Sequence, residues 1–193
     1  MPIAKCPMLV LTCLVHTFIV HAGIMNTDTP IPKSLQEEIR KRQPFESAEQ
    51  EAYLSIMRTA SMLDADFERL FKSFGLSIAT FNVLRILRGA GDQGRMCHEI
   101  RDHMVAQVPD ITRLVDRLEA AGLAERCRCD KDRRVVHCRI TQKGTDLLAS
   151  MHAAVMARHS QQLGHMSADE LLLLSKLLLK ARHPPRALER ADD

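Results

Sequence analysis

The chain has 193 residues, of which 46% are hydrophobic and 26% charged, a composition typical of a globular protein with one sizeable core. Leu, Ala, Met and Arg favour helices, and aromatic residues make up only 4% without any Trp, so we expect a mainly helical fold with an aliphatic core. The net charge of +3 is too small to indicate nucleic acid by itself, and the six cysteines lack the dense spacing of a disulfide-bonded secreted domain.

The N-terminus has the layout of a secretory signal, with Lys5, an apolar run of about a dozen residues and then small residues. The apolar run is too short to span a membrane. Met25 begins a polar, Pro-containing stretch, so we interpret residues 1–24 as a misassigned start, with a real signal or anchor as the alternative. Residues 25–44 are predicted to be a flexible lead. With Met25 as the start, we expect a cytoplasmic protein with reduced thiols and no membrane partner.

Helical periodicity begins at Phe45. Apolar residues recur at helical spacing from Phe45 to Ser73, which predicts one long amphipathic helix that stops at Gly75. Ser77 is placed to cap a second helix, which ends at a pair of glycines. The segment "CHEIRDHM" predicts a short third helix.

The fourth predicted helix has the clearest terminal signals. Pro109 is expected in its first turn, Asp110 complements the positive end of its dipole, and Gly122 ends it. The apolar residues form one stripe that we expect to be buried: Ile111, Leu114, Val115 and Leu118. The opposite face then presents polar residues to a partner: Thr112, Arg113, Asp116 and Arg117.

After Gly122 the hydrophobic period changes to two. The segments "LAERCRC" and "VVHCRIT" alternate and predict a two-stranded ribbon, while "DKDRR" between them is too long and too charged for a tight hairpin. Between Val105 and Gly144, nine Lys or Arg face six Asp or Glu, so this segment alone carries an excess of +3. A solvated turn is the alternative to a DNA-contacting tip, and the neighbouring Arg-bearing helix favours DNA contact.

The C-terminal third is again helical. Thr141 is predicted to cap one helix, and Ser167 with Glu170 forms a capping box for the last, which ends before Pro184. Seven of the nine residues from Leu171 to Leu179 are leucine, so this helix is apolar nearly all round. We interpret it as a subunit interface, with a core helix as the alternative.

The predicted elements follow the order of a winged helix-turn-helix: a short helix, a turn, a helix with exposed Thr and Arg, and a basic hairpin. The major groove is about 12 Å wide and admits one helix. We assign base reading to the start of that helix and the loop before it: Gln107, Asp110, Thr112 and Arg113. Arg117 lies deeper in the helix and is assigned to a phosphate or a structural role. The basic residues of the tip are expected over phosphates or in the minor groove: Lys131, Arg133 and Arg134.

From Phe45 to Arg182 the chain resembles the MarR family of bacterial transcriptional regulators. The segments that carry the resemblance are "GLSIATFNVLRIL" and "VPDITRLVDRLEAAGLAERCRCDKDRRVVHCRITQKG". It implies that Asp132 stabilises the wing, that Arg134 enters the minor groove, and that Pro109 to Ala121 is the recognition helix. It also implies a homodimer on double-stranded DNA and a small-molecule effector, for which the first two helices are the expected lining.

The domain organisation that the resemblance implies is a winged helix-turn-helix domain, mainly α with a small β-hairpin. The domain spans residues 45–183, with a DNA-binding lobe at about 77–141 and a tail at 184–193. The dimerisation helices are N- and C-terminal to the lobe, at about 45–73 and 142–182.

Redox-sensing members of that family carry a reactive cysteine early in the first long helix, and Phe45 to Ser73 contains none. Three cysteines elsewhere are redox candidates, with simple packing as the alternative: Cys97, Cys127 and Cys129. We predict no metal or cofactor, because the histidine spacings do not match a helical metal pair. Gly-rich phosphate loops, zinc-protease motifs and nucleophile elbows are absent from the sequence, so we predict no enzyme. The competing hypothesis is a protein-interaction module or anti-repressor that does not read DNA.

Overall fold

The computed structural model describes residues 34–128 and 135–185. The N-terminal segment 1–24 and the predicted hairpin tip lie outside the described residues, the tip with Cys129, Lys131, Asp132, Arg133 and Arg134. Over the described residues the fold is mainly α with one two-stranded antiparallel sheet, as the sequence predicts. The described elements are α1 (Leu35–Glu38), α2 (Ala48–Ser73), α3 (Ile78–Ala90), a 3-10 turn (Gly91–Gln93), α4 (Cys97–Asp102), α5 (Ile111–Ala120), β1 (Ala124–Arg128), β2 (Val136–Ile140), α6 (Gln142–Leu163) and α7 (Ala168–Arg182).

The chain divides into two compact units, residues 1–51 and 52–193. The described part of the first unit contains α1, a one-turn helix within the segment that was expected to be a flexible lead. Helix α2 begins at Ala48 rather than at the predicted Phe45. The reason is local: the Ser47 hydroxyl accepts a hydrogen bond from the Gln50 amide at 3.2 Å, as an N-cap does, so the helix starts after Ser47.

The second unit has an aliphatic core built from α3, α4, α5, the hairpin and α6. Its most deeply buried side chains have exposures of at most 1%: Val83, Leu84, Leu87, Ile100, Val115, Leu118, Cys138 and Met151. Ser77 caps α3 and shares a capping box with Thr80, which confirms the predicted start of that helix. The predicted caps Thr141 and Ser167 also occupy the N-cap positions of α6 and α7.

The hairpin register determines which side chains share a face. Arg126 is paired with Cys138, and Cys127 is paired with His137. Because neighbouring residues of a strand point to opposite faces, Cys127 and Cys138 lie on different faces of the ribbon. Arg95 extends the sheet by one bridge, since its amide donates to the Cys138 carbonyl at 2.9 Å and its carbonyl accepts from the Cys138 amide at 2.8 Å.

The segment "TQKG", at the start of α6, contacts the end of α5. The Thr141 hydroxyl donates to the Gly122 carbonyl at 2.8 Å, and Lys143 Nζ donates to the Ala121 carbonyl at 2.8 Å. Gly144 packs so closely that an added Cβ would clash with the Leu123 carbonyl oxygen. These contacts satisfy carbonyls that the end of α5 leaves unpaired, and they fix where that helix stops.

Helix α7 has no buried residue. Four of its leucines are 52–57% exposed: Leu172, Leu173, Leu177 and Leu179. Within residues 34–128 and 135–185 no single helix is long and apolar enough to cross a membrane, although the bent pair Ala48–Ser73 and Ile78–Gln93 reaches that length and composition together.

Candidate nucleic-acid interface

Helix α5 begins at Ile111, because Asp110 is its N-cap. Pro109, expected in the first turn, therefore lies just before the helix. One carboxylate oxygen of Asp110 accepts from the Arg113 amide at 3.0 Å, and the other lies 3.1 Å from Arg113 Nε. Asp110 thus has a structural role at the start of α5, and a base contact by its carboxylate would compete with these two interactions. Its role in reading bases stays a prediction.

The two faces of α5 differ as the sequence predicts. Ile111, Val115 and Leu118 are buried and Leu114 is half-buried. The predicted contact residues are all exposed: Gln107, Thr112, Arg113 and Arg117. The Arg113 side chain is 79% exposed despite its ion pair with Asp110, so its guanidinium is available to a partner. Within the described residues, the face of α5 that points away from the core is polar and bears two arginines.

Arg126 joins the hairpin to α5. Its guanidinium nitrogens lie 2.6 Å from Asp116 Oδ1 and 2.5 Å from Glu119 Oε2, and its amide donates to Glu119 at 3.3 Å. The hydrogen bond to Asp116, with that to Glu119, raises the pKa of Arg126, so it stays protonated. Asp110 pairs with Arg113, whereas Asp116 and Glu119 both pair with Arg126.

Sequence reasoning missed this bridge, although a signal for it exists. Asp116 and Glu119 are three residues apart and therefore neighbours on the solvent side of α5. Arg126 follows on the strand that leaves the helix, on the face of the ribbon that packs against it. The bridge gives α5 and β1 one fixed relative position, and it pairs two acids on the exposed face of α5 with a cation.

The predicted tip residues continue directly from the described ends of the hairpin, Arg128 and Val135. The roles of Lys131, Arg133 and Arg134 in contacting DNA, and of Asp132 in stabilising the wing, stay predictions. Among the redox candidates, Cys127 is half-buried and lies 3.6 Å from a Glu125 carboxylate oxygen. Burial, followed by the charge of Glu125, raises the pKa of Cys127, which disfavours its thiolate.

A small crevice lies between α3 and α6. Its lining combines an apolar floor with basic side chains: Phe81, Arg85, Arg88, Leu148, His152 and Val155. The Arg85 guanidinium lies 6.0 Å from the centre of the Phe81 ring. In the part of the chain that the structure describes, no group of three or more His, Cys, Asp or Glu is placed to hold a metal ion.

A family model described as MarR family matches residues 74–135. A MarR transcription factor from Planctomyces limnophilus is 41% identical in sequence, with a TM-score of 0.55 over 70% of this chain and 98% of that one. Two further solved structures share the fold at lower identity. One is a MarR family transcriptional regulator from Streptomyces coelicolor in complex with DNA, 17% identical, with a TM-score of 0.63 over 74% of this chain and 94% of that one.

The other is BpsR from Bordetella bronchiseptica, whose structure concerns regulation of DNA binding by 6-hydroxynicotinic acid. It is 22% identical, with a TM-score of 0.64 over 74% of this chain and all of that one. The match to the Planctomyces protein, at 41% identity over 98% of that chain, carries the assignment. The chain therefore belongs to the MarR family of transcriptional regulators.

Proposed function

We propose that the protein is a sequence-specific DNA-binding repressor that acts as a homodimer on a pseudo-palindromic operator. The observation that carries the proposal is the polar, Arg-bearing face of α5, which is held beside a basic hairpin by Arg126. The 10 residues of α5 fit the major groove, where the N-terminal half of such a helix meets base edges. Gln107, Thr112 and Arg113 read bases, and Arg117 contacts a phosphate.

The proposed homodimer is supported by the leucines of α7, whose exposure in the single chain leaves apolar surface that a second copy would cover. In a two-fold dimer, two copies of α5 reach successive major grooves on one side of the duplex. The half-sites of the operator then lie about one helical turn, or roughly 34 Å, apart.

Release from DNA is proposed to follow binding of a small molecule. The regulation of DNA binding in BpsR by 6-hydroxynicotinic acid supports this. The crevice between α3 and α6 has room for little more than one water molecule, so it would have to open to admit a ligand. The family resemblance implied α2 and α3 as the lining of an effector site. This crevice is lined by α3 and α6. A ligand there releases the operator only if it binds the DNA-free arrangement of the dimer more tightly.

Selection from random duplexes with the purified chain, followed by titration at two salt concentrations, tests the proposal. A two-fold symmetric site whose affinity falls steeply with salt is the expected result, because phosphate contacts release counterions. Arg113→Ala should relax base preference, while Arg134→Ala should weaken binding to all sequences and reduce the salt slope by about one. Arg69→Ala, an exposed arginine on α2, is the matched control and should change neither.

The competing function is a winged-helix module that binds protein instead of DNA. Such a module has no duplex affinity to lose with salt. Absence of any enriched sequence together with negligible duplex binding at low salt would therefore reject the repressor and favour the module.

A further inference from the structure

Two cysteines that are 41 residues apart in sequence meet inside the second unit. Cys97 is the first residue of α4 and is half-buried, whereas Cys138 lies in β2 and is fully buried. Their Sγ atoms are 4.0 Å apart and both are free thiols. The proposed contacts with DNA use neither residue.

The backbone holds the two thiols together. Arg95 and Cys138 exchange two hydrogen bonds, of 2.9 and 2.8 Å, so the strand segment before α4 is fixed against β2. A Cβ added to Gly94 would lie 2.5 Å from the Cys138 carbonyl oxygen, which shows how closely the two backbones approach. Cys97 begins α4 two residues after Arg95, and from there its sulfur reaches that of Cys138.

The other described cysteine is not a competing partner. Cys127 is paired with His137 in the hairpin register, on the face of the ribbon opposite to Cys138. Its sulfur lies 3.6 Å from Glu125 Oε1. Among the described residues, Cys97 is thus the cysteine placed to react with Cys138.

We propose that Cys97 and Cys138 are an oxidisable pair that closes to an intrachain disulfide between α4 and β2 when a hydroperoxide reaches Cys97. The more exposed Cys97 sulfur attacks the peroxide, the O–O bond breaks, and a sulfenic acid forms with release of one water from hydrogen peroxide. Cys138 then attacks the Cys97 sulfur, the S–O bond breaks, and the hydroxyl leaves as a second water with the proton of the Cys138 thiol. Two thiols are oxidised and one peroxide is reduced.

The surroundings of the pair favour a disulfide over a bound metal ion. Burial, followed by the neighbouring Cys97, raises the pKa of Cys138 to about 12, so charge is strongly disfavoured at this position. A disulfide is neutral, whereas an ion held by two thiolates requires both sulfurs to be ionised. The same burial makes the Cys138 thiol a slow attacking group near neutral pH, and the second step should accelerate as pH rises.

Closing the bond has a mechanical consequence. The sulfurs must approach from 4.0 Å to about 2 Å through side-chain rotation, a shift of α4 toward β2, or both. Both α4 and the hairpin lie beside α5, so any backbone shift that accompanies the bond changes the position of the hairpin relative to the proposed recognition helix. An effect on operator affinity rests on the proposed function, but formation of the disulfide does not.

Peptide mapping of the full chain tests the pair directly. The reduced protein is treated with hydrogen peroxide, the remaining thiols are alkylated, and the chain is digested with trypsin without reductant. The sequence places the relevant cysteines in separate peptides: Cys97 in 96–101, Cys138 in 135–139, Cys127 in 127–128 and Cys129 in 129–131. The expected product joins 96–101 to 135–139 with loss of two hydrogen atoms.

Cys97→Ser removes one of the two thiols and should abolish that product. The half-buried position tolerates a hydroxyl, so this variant should still fold. The control Cys127→Ser should leave the product unchanged. Persistence of both thiols at full peroxide exposure, oxidation of Cys97 only to its sulfinic acid, or linkage of Cys97 to any other cysteine would overturn the proposal. Operator affinity is measured separately on reduced and oxidised protein. A disulfide that forms without any duplex binding in either state would contradict the repressor and leave the oxidisable pair standing.

Discussion

Helices α5 and α7 begin in the same way, but only α5 buries apolar residues within the single chain. Each is capped by a side chain, Asp110 for α5 and Ser167 for α7. Helix α5 covers Ile111, Val115 and Leu118 with its own unit, whereas no residue of α7 is buried. The position of α5 is therefore determined within one chain. The seven leucines of α7 have apolar surface that the single chain leaves in water, which supports the proposed dimer.

The largest expected effect is in the core under α5. Leu118 is 1% exposed, so Leu118→Ala leaves a cavity and should lower the free energy of unfolding by about 2–5 kcal/mol. Urea denaturation followed by circular dichroism measures the change. Leu173→Ala is the matched substitution on α7, where 57% exposure limits the loss within a single chain to well under that amount. Equal losses for the two variants at the same low protein concentration would break the comparison.

The second prediction addresses the surface of α7. Leu173→Glu combined with Leu177→Glu places two charges on one face of the helix and should weaken the proposed dimer by roughly a hundredfold or more, because charges in an apolar interface are not solvated. Sedimentation velocity across a concentration series measures the shift to monomer. Ser175→Glu introduces the same residue on the same helix at an exposed position as a control. A double variant that dimerises as tightly as the unmodified chain would exclude α7 from the interface.

The sequence was sufficient wherever one local signal determines the structure. Ser77, Thr141 and Ser167 occupy the predicted caps, and the change of period from helical to two marks the hairpin. Predictions were less accurate where two local signals compete. Phe45 continues the apolar pattern of α2, but Ser47 sets the start of that helix. Pro109 suits the first turn of α5, but Asp110 is the N-cap, so Pro109 lies before the helix.

Contacts between distant residues were missed for a different reason. Arg126 joins acids that are seven and ten residues away, and Cys97 meets a thiol that is 41 residues away. Such pairs depend on the angle between two elements, and residue spacing along a single element contains no information on that angle. The motif "TQKG" illustrates the same limit, because its contacts with Ala121 and Gly122 become visible only after α5 and α6 are placed.

The third prediction concerns Arg126 and separates stability from binding. Arg126→Ala should lower the free energy of unfolding by no more than about 1 kcal/mol, because the side chains of Asp116 and Glu119 are 55% and 40% exposed and water screens the pairs. Operator affinity should fall further, by roughly tenfold, since two unpaired carboxylates then lie beside the DNA phosphates. Fluorescence anisotropy with a labelled duplex measures the affinity.

Arg128→Ala, an exposed arginine on the same strand, removes the same charge without breaking the bridge to α5. If it weakens DNA binding as much as Arg126→Ala, net charge rather than the bridge explains the effect. Arg126→Lys keeps the charge and should recover only part of the affinity, because a single ammonium cannot reproduce the fork that contacts both acids.

The smallest expected effect lies at the C-terminal end of α5. Lys143 donates to the Ala121 carbonyl at 2.8 Å from an exposed position, so Lys143→Met removes one charge-assisted hydrogen bond at the end of α5. The charge favours the negative end of the α5 dipole but opposes the positive end of the α6 dipole, so most of the loss comes from the hydrogen bond. The free energy of unfolding should fall by about 0.5 kcal/mol at low salt, and by less at high salt, because ions screen the charge. Lys143→Arg keeps donor and charge and should restore most of the loss. A loss of stability that does not depend on salt would assign the contribution of Lys143 to packing of its aliphatic stem. Burial would then stabilise this end of α5, as it does along the core face of the helix.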